Sequence, residues 1–202
     1  MNIDLDELLL AKALLKKESK RIYDWVVGDV RKCCRLKKDG SYKRGASSLI
    51  GSFILWCCAV DYYGGLFMGV KKYTGWDGKI TMENYSTRSH IKNFTGKYLK
   101  KYGDYDANKI YELRNSLIHN YTLAGYQVVE HDPNESKNNL KWSNKGYILH
   151  LGAALGDLEK AVKNYLKDLK SNDELKIRAF QYYKLNPILK PMAPEEFLYY
   201  KL

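Results

Sequence analysis

The stretch Asp106-Ala107-Asn108-Lys109-Ile110-Tyr111-Glu112-Leu113-Arg114-Asn115-Ser116-Leu117-Ile118-His119-Asn120-Tyr121 sets how the chain reads. Ile110, Leu117 and Ile118 recur at helical spacing, and Asp106 stands where a carboxylate can cap the first free N–H groups. The pattern predicts a helix from Asp106 to about Asn120. On that helix Arg114 and His119 are the two residues with chemistry to offer.

Working outward, helical periodicity dominates. Leu8, Ala11, Leu15, Ile22, Trp25 and Val26 predict a long helix from Asp4 to about Cys34, with Asp4 or Asp6 at its start. The basic run Lys37-Lys38-Asp39-Gly40-Ser41 ends it. Gly45 to Val70 is the most apolar segment. It has the length of a membrane span, but Asp61 would be a costly charge inside one. The segment therefore reads as a helix buried in a bundle, with Gly64-Gly65 loosening it or letting a neighbour approach. Tyr73 to Asn84 reads as a loop, and Thr87 to Lys101 as a third helix with Ile91, Phe94, Tyr98 and Leu99 inward.

Beyond Tyr121 the texture changes. Tyr126–Glu130 and Tyr147–Leu151 are strand-like, and the turn-forming Asp132–Asn139 between them predicts a β-hairpin, with a third short strand near Leu140–Trp142. Gly156–Lys170 and Asp173–Tyr183 read as helices, and Pro187 onward as an extended tail. The expected fold is mainly α: a single domain over 1–202, with a helical core over 4–121, an inserted small β-hairpin over 122–151, and a C-terminal helical pair and tail over 152–202.

A net charge of +11 favours an acidic partner such as nucleic acid. Eighteen tyrosines suit half-exposed positions and interfaces. The cysteines form two adjacent pairs, Cys33-Cys34 and Cys57-Cys58, without zinc-site spacing. With Cys57 and Cys58 inside the apolar run as small buried hydrophobes, and no secretory signal in the acidic start, a reducing cytoplasm is the expected location.

A histidine titrates near neutral pH and can give or take a proton. An arginine stays charged and grips phosphate with two donors. Asn115, four residues before His119, shares its face and can orient the phosphate or the imidazole. Arg114 and His119, however, lie about 140° apart around a straight helix. Arg114 falls in the apolar sector, and His119 falls with Glu112, Asn115 and Ser116. Convergence needs either a helix that ends or distorts near His119 or two facing copies of the chain.

Arg114-Asn115 followed by His119 resembles the Arg-x4–6-His motif of the HEPN superfamily. The likeness extends from about Ser47 to Tyr121 through the buried helix, Asp61-Tyr62-Tyr63-Gly64-Gly65 and a basic helix. The resemblance implies a helical bundle that pairs as a homodimer. It also implies a metal-independent endoribonuclease of toxin or defence type. Arg114, His119 and Asn115 of both protomers would line one cleft, where the 2′-OH of RNA attacks the neighbouring phosphate. Tyr121, at His-x-Tyr spacing, is similar to the tyrosine of HEPN toxins that a nucleotidyltransferase-type antitoxin modifies. Lys97, Lys100 and Lys101 are expected to feed a basic RNA-binding cleft near Arg114.

Two other readings stay open. In one, the chain is a non-catalytic HEPN-like module that binds RNA or protein. Arg114 is then a partly buried cation paired with Asp61, and His119 merely caps a helix end. In the other, residues 49–70 associate with a membrane, although no membrane partner is expected. His90, His131 and His150 lack metal-ligand spacing, so no metal is expected. No cofactor is expected either, since Gly64-Gly65 lacks the Lys and Ser/Thr of a phosphate loop, and no serine-elbow motif occurs.

Overall fold

Capping and periodicity build most of the chain, as a computed structural model that describes residues 5–35, 48–129, 139–144 and 146–187 makes visible. Among these residues the order is α1 (Leu5–Cys33), α2 (Leu49–Met68), β1 (Val70–Thr74), β2 (Ile80–Asn84), α3 (Thr87–Lys97), a 3-10 turn (Leu99–Lys101), α4 (Ala107–Asn120), β3 (Tyr126–Val129), β4 (Trp142–Ser143), β5 (Gly146–His150), α5 (Leu151–Ser171) and α6 (Asp173–Leu185). The mainly α expectation holds. Asp4, the basic turn over 37–41, His131, most of the 132–139 turn and the tail from 188 lie outside the described residues.

Each helix start carries a side-chain cap where the sequence offers one. Ser48 accepts from the Gly51 N–H at 3.1 Å, Ser86 from Ser89 at 3.2 Å, and Asn172 from Leu175 at 2.9 Å. These contacts satisfy donors that a helix end leaves free. α5 begins at Leu151, five residues before the expected Gly156, because the His150 ring caps it by accepting from Ala153 N–H at 3.1 Å.

α2 is the centre of the bundle, packing on α1, α3, α4, α5 and α6. By length and composition it could cross a membrane, and 56% of its apolar window is buried inside the protein. Phe53, Trp56, Cys57 and Val60 are sealed in the core, and the Trp56 indole donates to the Ala154 carbonyl of α5 at 2.9 Å. Cys58, expected to be buried with Cys57, is exposed instead. A core helix covered on most but not all sides leaves one stripe outward.

The tyrosines go further inward than expected. Tyr63, Tyr98 and Tyr165 cluster around Phe94 in a fully buried aromatic core: Tyr63 stacks on Phe94, Tyr98 is tilted against it, and Tyr165 meets all three edge-on. The phenols of Tyr98 and Tyr105 reach out of that core to Asp168 at 3.1 Å and Asp157 at 3.0 Å. The hydroxyls of Tyr63 and Tyr165, by contrast, are buried without a hydrogen bond among the described residues, so packing of their rings carries their placement.

Two β readings change. Tyr73–Asn84, expected to be a loop, holds the end of β1, the turn and all of β2, a hairpin closed by Gly75 N–H donating to the Lys79 carbonyl at 2.8 Å. In the insertion, β3 and β5 occupy the expected strands but pair in parallel, Tyr126 against Tyr147. The hairpin of the insertion is instead β4–β5, Trp142 against Tyr147. Gly146, at φ +121°, fixes this arrangement: a Cβ there would lie 2.1 Å from the Gly125 carbonyl oxygen. That oxygen accepts from Tyr147 N–H at 3.1 Å.

Candidate functional site

The polar cluster of the bundle grows from Asp61, a lone carboxylate on the apolar helix α2. An acid placed there requires partners, because desolvating an unpaired charge is expensive. α3 supplies two. His90 Nδ1 lies 2.9 Å from Asp61 Oδ1, and the Thr87 hydroxyl donates to Oδ2 at 3.2 Å. Thr87 and His90 are three residues apart and so share a face of α3. From α4, Arg114 Nη2 lies 3.7 Å from Oδ2.

Gly64 and Gly65 make this meeting possible. A Cβ on Gly64 would stand 2.3 Å from the His90 carbonyl oxygen, so α3 could not close on α2. A Cβ on Gly65 would stand 2.0 Å from Cζ of Tyr182. The Tyr182 ring sits edge-on to the His90 imidazole, with centroids 5.4 Å apart. Burial, and then the Asp61 charge, push the Tyr182 phenol up to about 12. Of the two roles expected for the glycine pair, close approach is therefore the one realised.

Exposure grades along the cluster. The side chain of His90 is 4% exposed, Asp61 18% and Arg114 22%. His90 Nε2 and Arg114 Nε are buried and make no hydrogen bond among the described residues. Arg114 Nη1 donates to the Asn115 amide oxygen at 3.2 Å, which aligns Asn115 beside the guanidinium.

His119 stands apart from this cluster. It is exposed in the last turn of α4 and makes no hydrogen bond or ion pair among the described residues. α4 stays helical through Asn120 and ends at Tyr121, which adopts the left-handed conformation at φ 53° and ψ 31°. The helix therefore does not distort between Arg114 and His119. They remain about 7 Å apart along the axis and point to different sectors. Tyr121 is 70% exposed.

Lys97 ends α3, and Lys100 and Lys101 belong to the 3-10 turn that leads toward the start of α4. Lys100 lines a groove of about 540 Å³ with Lys92, Asp106 and Lys109, at the first turn of α4. Arg88 of α3 also reaches α4. It donates to Asn108 at 3.2 Å and lies over the Tyr111 ring at 5.8 Å. His90 enters the cluster although its place in the sequence offers no metal-ligand spacing. The signal that would have found it is Thr87-x-x-His90 on a helix facing the only acid of α2.

Among the described residues, no group of three or more His, Cys, Asp or Glu is arranged to hold a metal ion. Comparisons with family models, with curated proteins and with solved structures returned no match.

Proposed function

We propose that this chain is a HEPN-like, metal-independent endoribonuclease of toxin or defence type, whose site is completed by a second copy. The observation that carries the proposal is the state of the α4 pair. Arg114 is held by Asp61 with part of its guanidinium at the surface, and His119 is exposed with no hydrogen bond or ion pair among the described residues. One chain keeps the two side chains in different sectors, so two copies related by a two-fold axis supply the convergence that chemistry needs. Cys58 of α2, whose thiol feels the Arg114 charge, is exposed, and Ile50 and Leu55 are partly exposed on the same helix, apolar surface that such a pairing would bury.

In this reading Arg114 binds the scissile phosphate and stabilises the charge that develops on it. His119 moves the proton: it accepts from the attacking 2′-OH or donates to the departing 5′ oxygen. Asn115 holds the guanidinium in place, and Asp61 anchors it from behind. The bonds balance within the substrate, since the 2′ oxygen–phosphorus bond replaces the 5′ oxygen–phosphorus bond. The products are a 2′,3′-cyclic phosphate and a 5′-hydroxyl. A cytoplasmic setting, RNA as partner and modification of Tyr121 by a nucleotidyltransferase-type antitoxin belong to the same proposal.

The test is RNA cleavage by purified protein in the presence of a chelator, with end analysis of the products. Cleavage with cyclic ends, lost on His119→Ala, supports the reading. If wild type cuts no RNA offered while still binding it, the second reading takes over: a non-catalytic RNA- or protein-binding module. The Arg114–Asp61 ion pair favours that alternative, because it gives Arg114 a structural task without catalysis.

A further inference from the structure

On the other side of the bundle, α1, α5 and the first turn of α6 border an open groove of about 630 Å³. None of its lining comes from α2, α3 or α4, the helices of the Asp61 cluster. Its floor is apolar: Leu15 and Leu169 are nearly buried, Leu166 is half-buried, and the Tyr23 ring lies alongside. Its rims are basic, with Lys16 and Lys20 on α1 facing Lys163 and Lys170 on α5.

The charges on these rims are not neutralised. At one end Lys12 and Lys176 share Asp173, at 3.3 and 2.6 Å. Lys16, Lys20, Lys163 and Lys170 are exposed and make no ion pair among the described residues. Lys12, Lys16 and Lys20 follow one another at four-residue spacing, which stacks like charges on successive turns and disfavours the helix. Anions facing this row would remove that repulsion.

The occupant must satisfy both a leucine floor and lysine rims. A nucleic-acid strand suits the rims, but its bases stack on aromatic rings, and Tyr23 is the one ring in the lining. A small anion or fatty acid would stay largely uncovered, whereas small-molecule sites enclose most of their ligand. A helix with an apolar strip between acidic edges meets both demands at once. The spacing agrees: the rise from Lys16 to Lys20 is about 6 Å and from Lys163 to Lys170 about 10 Å, matching acids four and seven residues apart.

We propose that the α1–α5 groove docks an acidic amphipathic helix of a partner protein, its apolar strip on Leu15, Leu166 and Leu169 and its acids between the lysine rims.

Fluorescence anisotropy of the full chain tests this with a labelled peptide of about 18 residues, or five turns, carrying leucines at helical spacing flanked by glutamates. A scrambled peptide of the same composition and a single-stranded RNA oligonucleotide are the other arms. The helical acidic peptide should bind at least about tenfold more tightly than the scrambled one. The double charge reversal Lys16→Glu with Lys170→Glu should weaken it by at least about tenfold, since like charges then face each other. Leu166→Glu should abolish it. Both variants alter solvent-accessible side chains, so unchanged circular dichroism and melting will separate lost docking from lost fold. Absence of peptide binding, equal affinity for the scrambled peptide, or indifference to Leu166→Glu overturns the proposal. RNA binding that falls with the charge reversal but ignores Leu166→Glu would make the groove a nucleic-acid track instead.

Discussion

The Asp61 carboxylate spans His90 and Arg114: one oxygen lies 2.9 Å from His90 Nδ1 and the other 3.7 Å from the Arg114 guanidinium. A carboxylate only accepts, so His90 Nδ1 is the donor of this hydrogen bond. That leaves Nε2 inside the bundle without a hydrogen bond among the described residues. One acid on an apolar helix thus ties α2 to both α3 and α4, and it sets where the guanidinium rests.

Asp61→Ala should therefore destabilise the bundle by about 2–4 kcal/mol, slightly below the range for a fully buried pair because Asp61 retains some exposure. Asp61→Asn keeps an acceptor and should cost less. Urea unfolding monitored by circular dichroism reads both. A loss under about 0.5 kcal/mol for the alanine variant, the scatter of ordinary surface changes, would show that Asp61 is not a structural tie.

Gly64→Ala and Gly65→Ala should each cost about 1–3 kcal/mol, the range for forcing extra volume into a packed core. Gly64→Ala should be the worse, because the atom it meets is backbone rather than a movable ring. Gly156→Ala on α5 is the control. Nothing lies within 4 Å of its added Cβ, so it should be neutral or stabilising by up to about 1 kcal/mol. Equal thermal shifts for all three would refute the close-approach role.

If two copies build the site, Arg114→Ala and His119→Ala should each lower RNA cleavage at least about 10²-fold while leaving circular dichroism unchanged. Co-expressed as mixed dimers, the two variants should recover activity that neither has alone. A mixture no more active than its components would place both groups in one chain or outside the reaction.

Binding of single-stranded RNA by the chelated protein should weaken steeply with salt, since each phosphate neutralised releases counterions. Arg88→Ala should reduce that slope by about one ion, and Lys101→Ala, in the 3-10 turn after α3, should leave the cleavage rate unaltered. A slope untouched by Arg88→Ala would remove it from the RNA path.

Stability should fall in alkali. Burial pushes the Cys34 thiol up to about 11 and Cys57 higher still, and Tyr182 up to about 12. Each group holds its proton more tightly in the folded chain. Its contribution is therefore full below the unfolded values of 9.0 and 10.0 and is lost as pH rises toward the folded ones. The slope should be on the order of 1 kcal/mol per pH unit per group between those limits. Denaturant midpoints at pH 8, 9.5 and 10.5 check it, and Tyr182→Phe should flatten the curve. A midpoint that holds steady across this range would contradict the burial of these groups.

The helices were legible in the residues because their causes are local. Hydrogen bonds four residues apart, a capping side chain and an apolar stripe place α4 between Asp106 and Tyr121, and the same rules place α1 and α2 within a residue or a few of their ends. The tie between Arg114 and Asp61 was legible for a similar reason: a cation on an apolar face and an acid in an apolar helix each need the other. His90 was not, since its role depends on how closely α3 can lie on α2. That distance is set by two absent side chains, at Gly64 and Gly65, and becomes a contact only when the helices pack. Strand pairing was equally out of reach. β3 and β5 alternate as strands whichever partner they take, and their parallel register follows from a carbonyl of Gly125 that only the folded chain brings against Gly146. Periodicity is a property of neighbours in sequence; pairing, burial of the tyrosines and the separation of His119 from Arg114 belong to neighbours in space.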